Sequence, residues 1–431
     1  MKRLSILLIT VIIIMASCKK DDEQTEVTPE MARDSLYNLM DQYYYWYNLM
    51  PVIDMESYSN PSDLLKAMIY KELDKWSFVA DYEKFVAQME GDFVGHGIMI
   101  GLSEDNKARI ALIYKNSHLF SKGVRRGWII KSVNGYDLAE ILIAHDTEAY
   151  NTALGPKTEG ITNNFVFEKP DGSTIAISSA KTSFTINTVI LYDTIWLDAA
   201  GTKKAGHLVF DRFILPSSEE LQSAFSYFKT SGVTDLILDL RYNPGGILNI
   251  AQQLASYIGG SALSGKTLTM LSYNEKLQSQ NKTYKFLSSS YSLSIPRVVV
   301  ITSRSTASAS EAVINGLSPH MTVVSIGDTT EGKYVGFDGF IYGKYLFSPI
   351  TFKIVNSLGH GDYFEGLAPD KIATDDIIHD FDDRRETCLN EAIIYLRTGS
   401  FSGKGAENFH RSSLMSEKPS WMNNMFILNK E

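Results

Sequence analysis

Cysteine is nearly absent from this sequence, since 431 residues contain two, Cys18 and Cys388. Two cysteines cannot build a disulfide framework or a cage of thiolate ligands around zinc, so the fold must depend on its hydrophobic core. Long basic runs are also missing, and 41 Lys and Arg against 50 Asp and Glu give a net charge of −9, which argues against nucleic-acid binding. With 44% hydrophobic and 21% charged residues, the composition is typical of a globular protein.

The longest apolar run, residues 4–16, follows a basic N-terminus. Its 13 residues are too few to span roughly 30 Å of hydrocarbon as a helix, but they suit the core of a signal peptide. Residues 15–18 resemble a bacterial lipobox, which ends in an acylated cysteine. We therefore predict a signal peptide over residues 1–17, lipid attachment at Cys18 and a flexible tether over residues 18–27.

An ordinary secretion signal with a bystander cysteine is the alternative interpretation of the same N-terminus. The lipobox resemblance predicts an exported bacterial lipoprotein of the cell envelope. The sequence does not decide on which side of the envelope the protein lies, because a charged tether suits both the periplasmic face and the outer-membrane surface.

Residues 28–90 carry two helix-start patterns. Thr28 before Pro29 combines a capping hydroxyl with proline at the first helical position, and apolar side chains recur at helical spacing until Pro51. A second start lies at Asn60, again followed by proline. This segment is predicted to be a small N-terminal helical domain.

Short apolar runs bounded by turns replace the helical pattern between residues 91 and 182. Their order resembles a PDZ domain of the circularly permuted bacterial type. In that resemblance Gly95, His96, Gly97 and Ile98 stand at the loop that holds a peptide's terminal carboxylate, while the adjacent sheet edge pairs with the peptide. The glycines of this stretch also partly match a dinucleotide-binding loop, although their third spacing is wrong for it.

Residues 183–399 read as alternating strands and helices. Nearly continuous apolar runs, typical of strands buried on both faces, stand at residues 236–238, 298–301 and 322–326. Residues 217–220 read as a capping box that opens a helix, so we predict an α/β layer arrangement. Cys388 is interpreted as a small core residue on the last helix. Residues 400–431 form a tail for which the sequence indicates no role.

Three segments of this α/β region carry reactive side chains. Ser308 lies in residues 305–311, Ser-Thr-Ala-Ser-Ala-Ser-Glu, which follow a buried strand and open a helix. A serine on a first helical turn meets unpaired N–H groups and the positive end of the helix dipole, and both favour a developing oxyanion. Lys333 follows Gly332 on a loop beyond the next strand, and residues 239–246 end an earlier strand with a Pro-Gly-Gly turn.

These segments, together with residues 363–370, resemble the carboxyl-terminal processing (tail-specific) serine protease family, which couples a PDZ domain to a serine–lysine dyad. The likeness covers roughly residues 90–375. It implies an α/β core of the layered crotonase or Clp-protease type, with an inserted PDZ domain and an N-terminal helical domain.

The resemblance also implies roles for individual residues. Matched position by position, Ser308 is the nucleophile and Lys333 is the general base. The family's oxyanion hole uses the amide after the nucleophile, here Ala309, and one amide of the Pro-Gly-Gly turn, here Gly245 or Gly246, of which we favour Gly246. No metal and no organic cofactor is implied.

One position departs from the family pattern. Many members carry a glutamine four residues after the lysine, and Phe337 stands there. Another group would then orient Lys333, such as a backbone carbonyl or the hydroxyl of Thr329 or Thr330. A catalytically inactive relative on the same scaffold is therefore an alternative.

A Ser-His-Asp triad is another way to activate Ser308, since triads are spatial and sequence spacing does not exclude them. Its histidine would come from those nearest the α/β segments: His207, His320 or His360. Asp328 is a candidate for its carboxylate. Asp239 and Arg241, at a strand end before a glycine turn, are also candidate catalytic groups, but we interpret them as a structural ion pair or as hydrogen-bond partners of the turn.

If Lys333 is the base, its pKa must lie far below the usual value for lysine. A lysine of pKa ~10.4 is almost wholly protonated at neutral pH and cannot accept the serine proton. Lowering its pKa to about 7 requires about 4 to 5 kcal/mol of destabilisation of the charged form. No basic cluster flanks Lys333, so we predict that it is buried and kept away from Glu331.

The sequence therefore predicts a lipid-anchored serine endopeptidase that binds polypeptides with apolar C-termini through its PDZ-like domain and cleaves them through an acyl-enzyme. Its expected partners are polypeptide substrates and, through the anchor, a membrane, with no nucleic acid. The alternative from another class is a peptide-binding lipoprotein without turnover. The oligomeric state is left open.

Overall fold

The computed structural model describes residues 26–403, 413–416 and 426–427. The predicted signal peptide (residues 1–17), Cys18 and most of the tether (residues 18–27) lie outside the described residues, and so does much of the tail. In the described ranges, no helix combines the length and apolar character needed to cross a membrane.

The helices of the described residues have these bounds: Pro29–Tyr43 (α1), Pro61–Met68 (α2), Tyr82–Met89 (α3), His118–Ser121 (α4), Leu138–Ile143 (α5), Thr147–Leu154 (α6), Ser217–Ser231 (α7), Leu248–Gly259 (α8), Ala309–Leu317 (α9) and Thr387–Thr398 (α10).

The strands are Phe78–Asp81 (β1), Asp92–Gly95 (β2), Ile98–Leu102 (β3), Ala108–Ile113 (β4), Ile129–Val133 (β5), Thr162–Glu168 (β6), Thr174–Ala180 (β7), Thr182–Thr185 (β8), Val189–Trp196 (β9), Lys204–Phe210 (β10), Asp235–Asp239 (β11), Gly246–Ile247 (β12), Thr267–Tyr273 (β13), Lys282–Lys285 (β14), Arg297–Thr302 (β15), Thr322–Gly327 (β16), Val335–Phe337 (β17), Phe340–Tyr342 (β18), Tyr345–Ser348 (β19), Ile350–Asn356 (β20), Lys371–Ile372 (β21), Ser413–Ser416 (β22) and Phe426–Ile427 (β23).

Both predicted helix starts in the N-terminal segment are present. The Thr28 hydroxyl accepts the N–H of Met31 at 3.3 Å at the start of α1, and the Asn60 side chain accepts the N–H of Asp63 at 3.0 Å at the start of α2. The first helix ends at Tyr43, earlier than the periodicity predicts.

The N-terminal segment is not wholly helical, which corrects the prediction for residues 28–90. Strand β1 lies within it and pairs antiparallel with β19, opposite residues 345–348. Side chains of α1 and α2 share a hydrophobic cluster with Val335 and Phe347 of the core. The segment is thus fastened to the core by a shared sheet and shared apolar packing.

Strands β3 to β7 of residues 91–182 form an antiparallel sheet with β22 of the tail, in the order β22-β3-β4-β5-β6-β7, and this sheet includes the predicted β6–β7 hairpin. Strand β8 pairs with β2, so the predicted boundary after residue 182 falls inside a strand and is wrong by a few residues. The dinucleotide-loop interpretation is also wrong, because the glycine stretch joins strand β2 to strand β3 and no helix follows it.

The α/β core contains a six-stranded sheet in the order β21-β16-β15-β11-β10-β9, parallel except for β9. Alternate residues of the central strands pack into different clusters, as Leu238 and Ile237 do, which confirms strands buried on both faces. Cys388 is buried beneath this sheet, as predicted.

Helix α7 begins where the sequence predicts, but the capping box is wrong. The Ser217 hydroxyl accepts the N–H of Ile214 at 3.1 Å and donates to the Arg212 carbonyl at 2.9 Å. The Glu220 carboxylate accepts the N–H groups of Thr188 and Val189 instead of capping the helix. Tertiary partners therefore outcompete the local cap.

A second six-stranded sheet has the order β12-β23-β17-β20-β13-β14. Its strand β23 comes from the C-terminal tail and lies between β12 and β17, parallel to both. The predicted tail of residues 400–431 therefore contributes strands to two sheets, which the sequence did not indicate.

Candidate active site

The three reactive segments follow three neighbouring parallel strands. Strand β11 leads into residues 239–246, β15 leads into Ser308, and β16 leads into Lys333. Since parallel strands end at the same edge of a sheet, their carboxyl ends bring these segments together, as in other open α/β sheets.

The Pro-Gly-Gly turn and the serine segment are directly hydrogen-bonded. The Asn243 carbonyl accepts the N–H of Ala307 at 3.1 Å and the hydroxyl of Ser310 at 3.0 Å. The Thr306 hydroxyl donates to the Leu240 carbonyl at 2.8 Å. These bonds fix the turn against the first turn of α9.

Ser308 has a strained backbone. Its φ of +59° and ψ of −114° lie in a region that residues with a side chain rarely occupy, and Ser308 directly precedes the first residue of α9. The residue is fully buried, and its hydroxyl has no hydrogen-bond partner among the described residues. Strain of this kind costs about 1–3 kcal/mol and is concentrated at functional sites.

Glu311 joins the serine segment to the lysine loop. Its Oε2 accepts the N–H of Ser308 at 2.8 Å and that of Lys333 at 2.9 Å. Its Oε1 accepts the N–H of Gly332 at 2.7 Å and the Thr330 hydroxyl at 2.5 Å. Burial raises the pKa of Glu311 to about 7, against these four hydrogen bonds, which favour the charged form. One carboxylate thus holds both candidate catalytic residues by their backbones.

Lys333 is 1% exposed, and desolvation lowers its pKa from 10.5 to about 7. The negative charges of Asp74, Glu311 and Glu331 oppose this shift, Asp74 most and Glu331 least, and burial outweighs all three. The burial that the sequence analysis required for a neutral amine is therefore confirmed. A lysine with this pKa is half deprotonated near neutrality and can accept a proton.

Two aromatic rings wall the amine. Lys333 Nζ lies 5.3 Å from the ring centre of Phe337 and 5.9 Å from that of Trp76. Phe337, at the position where the family pattern has glutamine, is fully buried and contributes apolar surface rather than a hydrogen bond. Of the predicted alternative orienting groups, the Thr330 hydroxyl donates to Glu311.

The candidate oxyanion donors differ in availability. Ala309 is the first residue of α9, where N–H groups have no intrahelical acceptor. The Gly245 N–H already donates to Asn243 Oδ1 at 2.9 Å. Phe213 bonds to the carbonyl of Gly245 and the N–H of Ile247, so the N–H of Gly246 turns to the opposite side. This geometry favours Gly246 over Gly245.

The structure does not place the candidate histidines of the alternative triad against Ser308. His320 Nε2 lies 2.8 Å from the Thr267 carbonyl, and the fully buried His207 lies near Asp239 and Asp193. Ser308 shares no hydrogen bond with any histidine of the described residues. The structure thus brings Ser308 to Lys333 through Glu311 and does not build a triad.

Asp239 and Arg241 form the predicted structural ion pair. The buried Arg241 guanidinium bonds to both oxygens of Asp239 at 3.0 Å, to Glu386 at 2.7 Å and to Asp375 at 3.0 Å. Three carboxylates around one guanidinium fix the base of the turn. These groups therefore position the turn and do not face the reaction.

The predicted peptide-binding loop lies between β2 and β3. Gly97 has a φ of +68°, and its carbonyl accepts the N–H of Tyr114. His96 is buried with its Nε2 2.6 Å from Asn163 Oδ1, and burial lowers its pKa to about 4. Its side chain is therefore a packing group, and any carboxylate binding by Gly95, His96, Gly97 and Ile98 would use backbone N–H groups.

Sequence models of known families match two stretches of this chain. Residues 204–370 match the model described as peptidase family S41, and residues 32–78 match its N-terminal domain. These two stretches of the chain are therefore similar to peptidase family S41. The S41 segment contains Ser308, Glu311 and Lys333.

Among curated relatives, the chain is 24% identical over 254 residues to a carboxyl-terminal-processing protease of Picosynechococcus sp., covering 58% of this chain and 57% of that protein. It is 25% identical over 275 residues to a carboxy-terminal-processing protease of Bartonella bacilliformis, with 61% and 57% covered. The matches thus span little more than half the length of these relatives.

A crystal structure of a Bacteroides fragilis protein assigned to the S41 proteases shares the fold, with a TM-score of 0.65 at 22% identity. The match covers 85% of this chain and 97% of that one. The mixed α/β architecture of the S41 fold is therefore present, together with an N-terminal domain.

Two residues of the N-terminal S41 domain reach the site, and sequence reasoning missed both. Asp74, 2% exposed, accepts hydrogen bonds from the Tyr44 hydroxyl and the Trp76 N–H, each at 2.9 Å. Asp74 and Trp76 lie more than 200 positions from Lys333, so no local pattern links them. Glu311 stands inside the serine segment of residues 305–311, but its three N–H donors become visible only in the fold.

A pair of glycines locks the lysine loop. A Cβ on Gly332, whose φ is +96°, would lie 2.1 Å from the Phe364 carbonyl oxygen, and a Cβ on Gly366 would lie 2.1 Å from that of Thr330. The loop of residues 363–370 thus packs backbone against backbone on the loop that carries Lys333. In the described part of the chain, no group of three or more His, Cys, Asp or Glu side chains could hold a metal ion.

Proposed function

We propose that this protein is a serine endopeptidase that cleaves polypeptides through a Ser308–Lys333 dyad. The observation that carries the proposal is the Lys333 amine, buried with a pKa of about 7 and joined to Ser308 through Glu311. The S41 match and the names of the curated relatives support the same class of enzyme.

The proposed reaction starts with a peptide carbonyl beside Ser308. The hydroxyl oxygen attacks the carbonyl carbon while neutral Lys333 takes the hydroxyl proton. The N–H groups of Ala309 and Gly246 stabilise the resulting oxyanion. The C–N bond then breaks, the Lys333 ammonium returns its proton to the leaving amine, and water hydrolyses the acyl-enzyme.

Substrate capture is proposed to use the sheet of residues 91–182 as a PDZ-like module. The loop of Gly95 to Ile98 would hold a free C-terminal carboxylate, and β3 would pair with the peptide. Polypeptides with apolar C-termini are the proposed substrates. We also propose acylation at Cys18, which would anchor the exported enzyme to a membrane of the cell envelope.

The test compares degradation of an unstructured reporter with an apolar C-terminus by the wild-type chain, Ser308→Ala and Lys333→Ala. The matched controls are Ser305→Ala, in the same segment, and Lys344→Ala on the exposed surface. We expect both dyad variants to lose at least about 10³-fold in kcat and the controls to keep wild-type rates.

For the wild-type chain, kcat should rise with pH through about 7 as Lys333 loses its proton. If Ser308→Ala degrades the reporter as fast as the wild-type chain does, Ser308 is not the nucleophile. A reporter that binds but survives with the wild-type chain would favour the peptide-binding alternative.

A further inference from the structure

Two short strands from the C-terminal tail occupy positions that a polypeptide substrate would need. They are β22, residues 413–416, and β23, residues 426–427. Neither pairs with a strand close to it in sequence, because β22 joins the sheet of residues 91–182 and β23 joins the sheet beside Lys333.

Strand β22 covers the edge strand of the proposed peptide-binding module. It pairs antiparallel with β3, with Ser413 opposite Leu102 and Ser416 opposite Met99. The tail therefore runs toward the Gly97 turn, which is the direction that a bound C-terminus must take to bring its carboxylate to that turn. In the described sheet, β22 is the strand that hydrogen-bonds to the outer edge of β3.

Side chains of β22 fill space on both faces of the edge. Leu414 packs against the main core, and its Cδ2 lies 2.9 Å from where a Cβ on Gly101 would stand. The next residue, Met415, packs against the core of the module itself. Side chains that alternate between the two faces of the sheet are typical of a paired β-strand, and a peptide that binds by β-augmentation would show the same alternation.

Strand β23 lies between the candidate oxyanion turn and the strand that follows Lys333. Phe426 is opposite Gly246, and Ile427 is opposite both Ile247 and Phe337. The N–H of Gly246 faces this side, because the other side of its strand is bonded to Phe213. A backbone in this position competes with a substrate backbone for the same N–H group.

We propose that the tail is a built-in ligand that blocks both the peptide-binding edge, through residues 413–416, and the reaction cleft, through residues 426–427, until a polypeptide end displaces it. The proposal rests on the function proposed above. Displacement is feasible because ladders of four and two residues contain few hydrogen bonds, which places them among the least stable parts of a fold. A tethered ligand acts at millimolar effective concentration, so weak pairing suffices to inhibit.

The test uses the full chain with Met415→Pro and Ile427→Pro, since proline removes an N–H that each ladder uses. Met415 is opposite Ile100, whose backbone faces β22 because that of the next residue, Gly101, faces β4. Met415→Leu and Ile427→Val are the matched controls, because they keep that N–H. Binding is measured in the Ser308→Ala background with a fluorescently labelled peptide that has an apolar C-terminal residue and a free carboxylate.

We expect Met415→Pro to bind this peptide about tenfold tighter than Met415→Leu. In the chain with Ser308, both proline variants should lower KM by a similar factor and leave kcat unchanged. Unchanged or weaker binding, or a raised KM, would show that the strands are structural and would overturn the proposal. If no variant cleaves the reporter but Met415→Pro binds the peptide more tightly, the tail proposal stands and the endopeptidase proposal fails.

Hydrogen exchange on the Ser308→Ala chain with an unchanged tail gives a second readout, which does not depend on how the proline variants fold. Saturating peptide should accelerate amide exchange in residues 413–416, because the peptide takes their place on β3. Exchange in these residues that stays the same at saturation would overturn displacement.

Discussion

At the scale of single residues, the site depends on an amine whose burial is unfavourable to the fold. The pKa of Lys333 is about 7 in the folded chain against 10.5 for an exposed lysine. Because the unfolded chain binds this proton more tightly, the free-energy cost of burial is complete below pH 7, falls between pH 7 and 10.5, and is absent above. The complete cost is about 4 to 5 kcal/mol.

Lys333→Met should therefore stabilise the protein in a pH-dependent way. We expect a gain in the free energy of unfolding of about 3 kcal/mol or more at pH 6, shrinking to about 1 kcal/mol or less at pH 10, since methionine keeps the apolar contacts without the charge. Denaturant titrations at a series of pH values measure it. The exposed Lys344→Met is the control, and a gain independent of pH would show that desolvation of the charged amine is not its cause.

At the scale of elements, the strand-to-helix turn between β15 and α9 stores strain. Ser308 takes a positive φ directly before the helix, with its N–H held by Glu311. Helix α9 is fully buried along its length, so the turn cannot relax by shifting the helix. The sequence predicts the turn and its serine correctly, but backbone strain has no local sequence signal when the residue is not glycine.

Replacing Ser308 by glycine should relax this turn. Glycine adopts such φ values freely, which recovers about 1–3 kcal/mol of strain against about 0.5–1 kcal/mol of extra chain entropy. We expect Ser308→Gly to unfold at higher denaturant concentration than Ser308→Ala, although both are inactive. For Ser305, whose φ is not positive, the glycine variant should be the less stable of the two. The opposite order at Ser308 would argue against strain.

At the scale of the whole molecule, the N-terminal domain completes the environment of the Lys333 amine. It supplies Trp76 as a wall and Asp74 as the strongest charge opposing the lowered pKa of Lys333. Strand β1, which begins shortly after Trp76, pairs with β19 of the core and holds this corner in place. The N-terminal domain therefore contributes to the pH at which Lys333 loses its proton.

Asp74→Asn should move the acid limb of the pH–rate profile. Loss of the negative charge lowers the pKa of Lys333 further, so a larger fraction of the amine is neutral at a given pH. The decline of kcat on acidification should therefore begin at a lower pH than in the wild-type chain. The exposed Asp41→Asn, in the same domain, is the control and should leave the limb unchanged. A limb that moves to higher pH would mean that Asp74 does not act through its charge.

The sequence predicts features that depend on interactions between residues close together in the chain. Helix caps at Thr28 and Asn60, the buried parallel strands and the Ser308 segment depend on neighbours in the chain, and those predictions are confirmed. The second sheet, the strand at residues 78–81 and the approach of Asp74 to Lys333 depend on pairing between distant segments. Such contacts leave no periodicity or spacing, so only the fold reveals them.

The two facing glycines, Gly332 and Gly366, make the packing of two loops interdependent. Because each leaves room for the other loop's carbonyl, neither position can acquire a side chain alone without parting the loops and admitting water to the amine of Lys333. A graft that transplants the lysine loop into another scaffold must carry residues 363–370 with it.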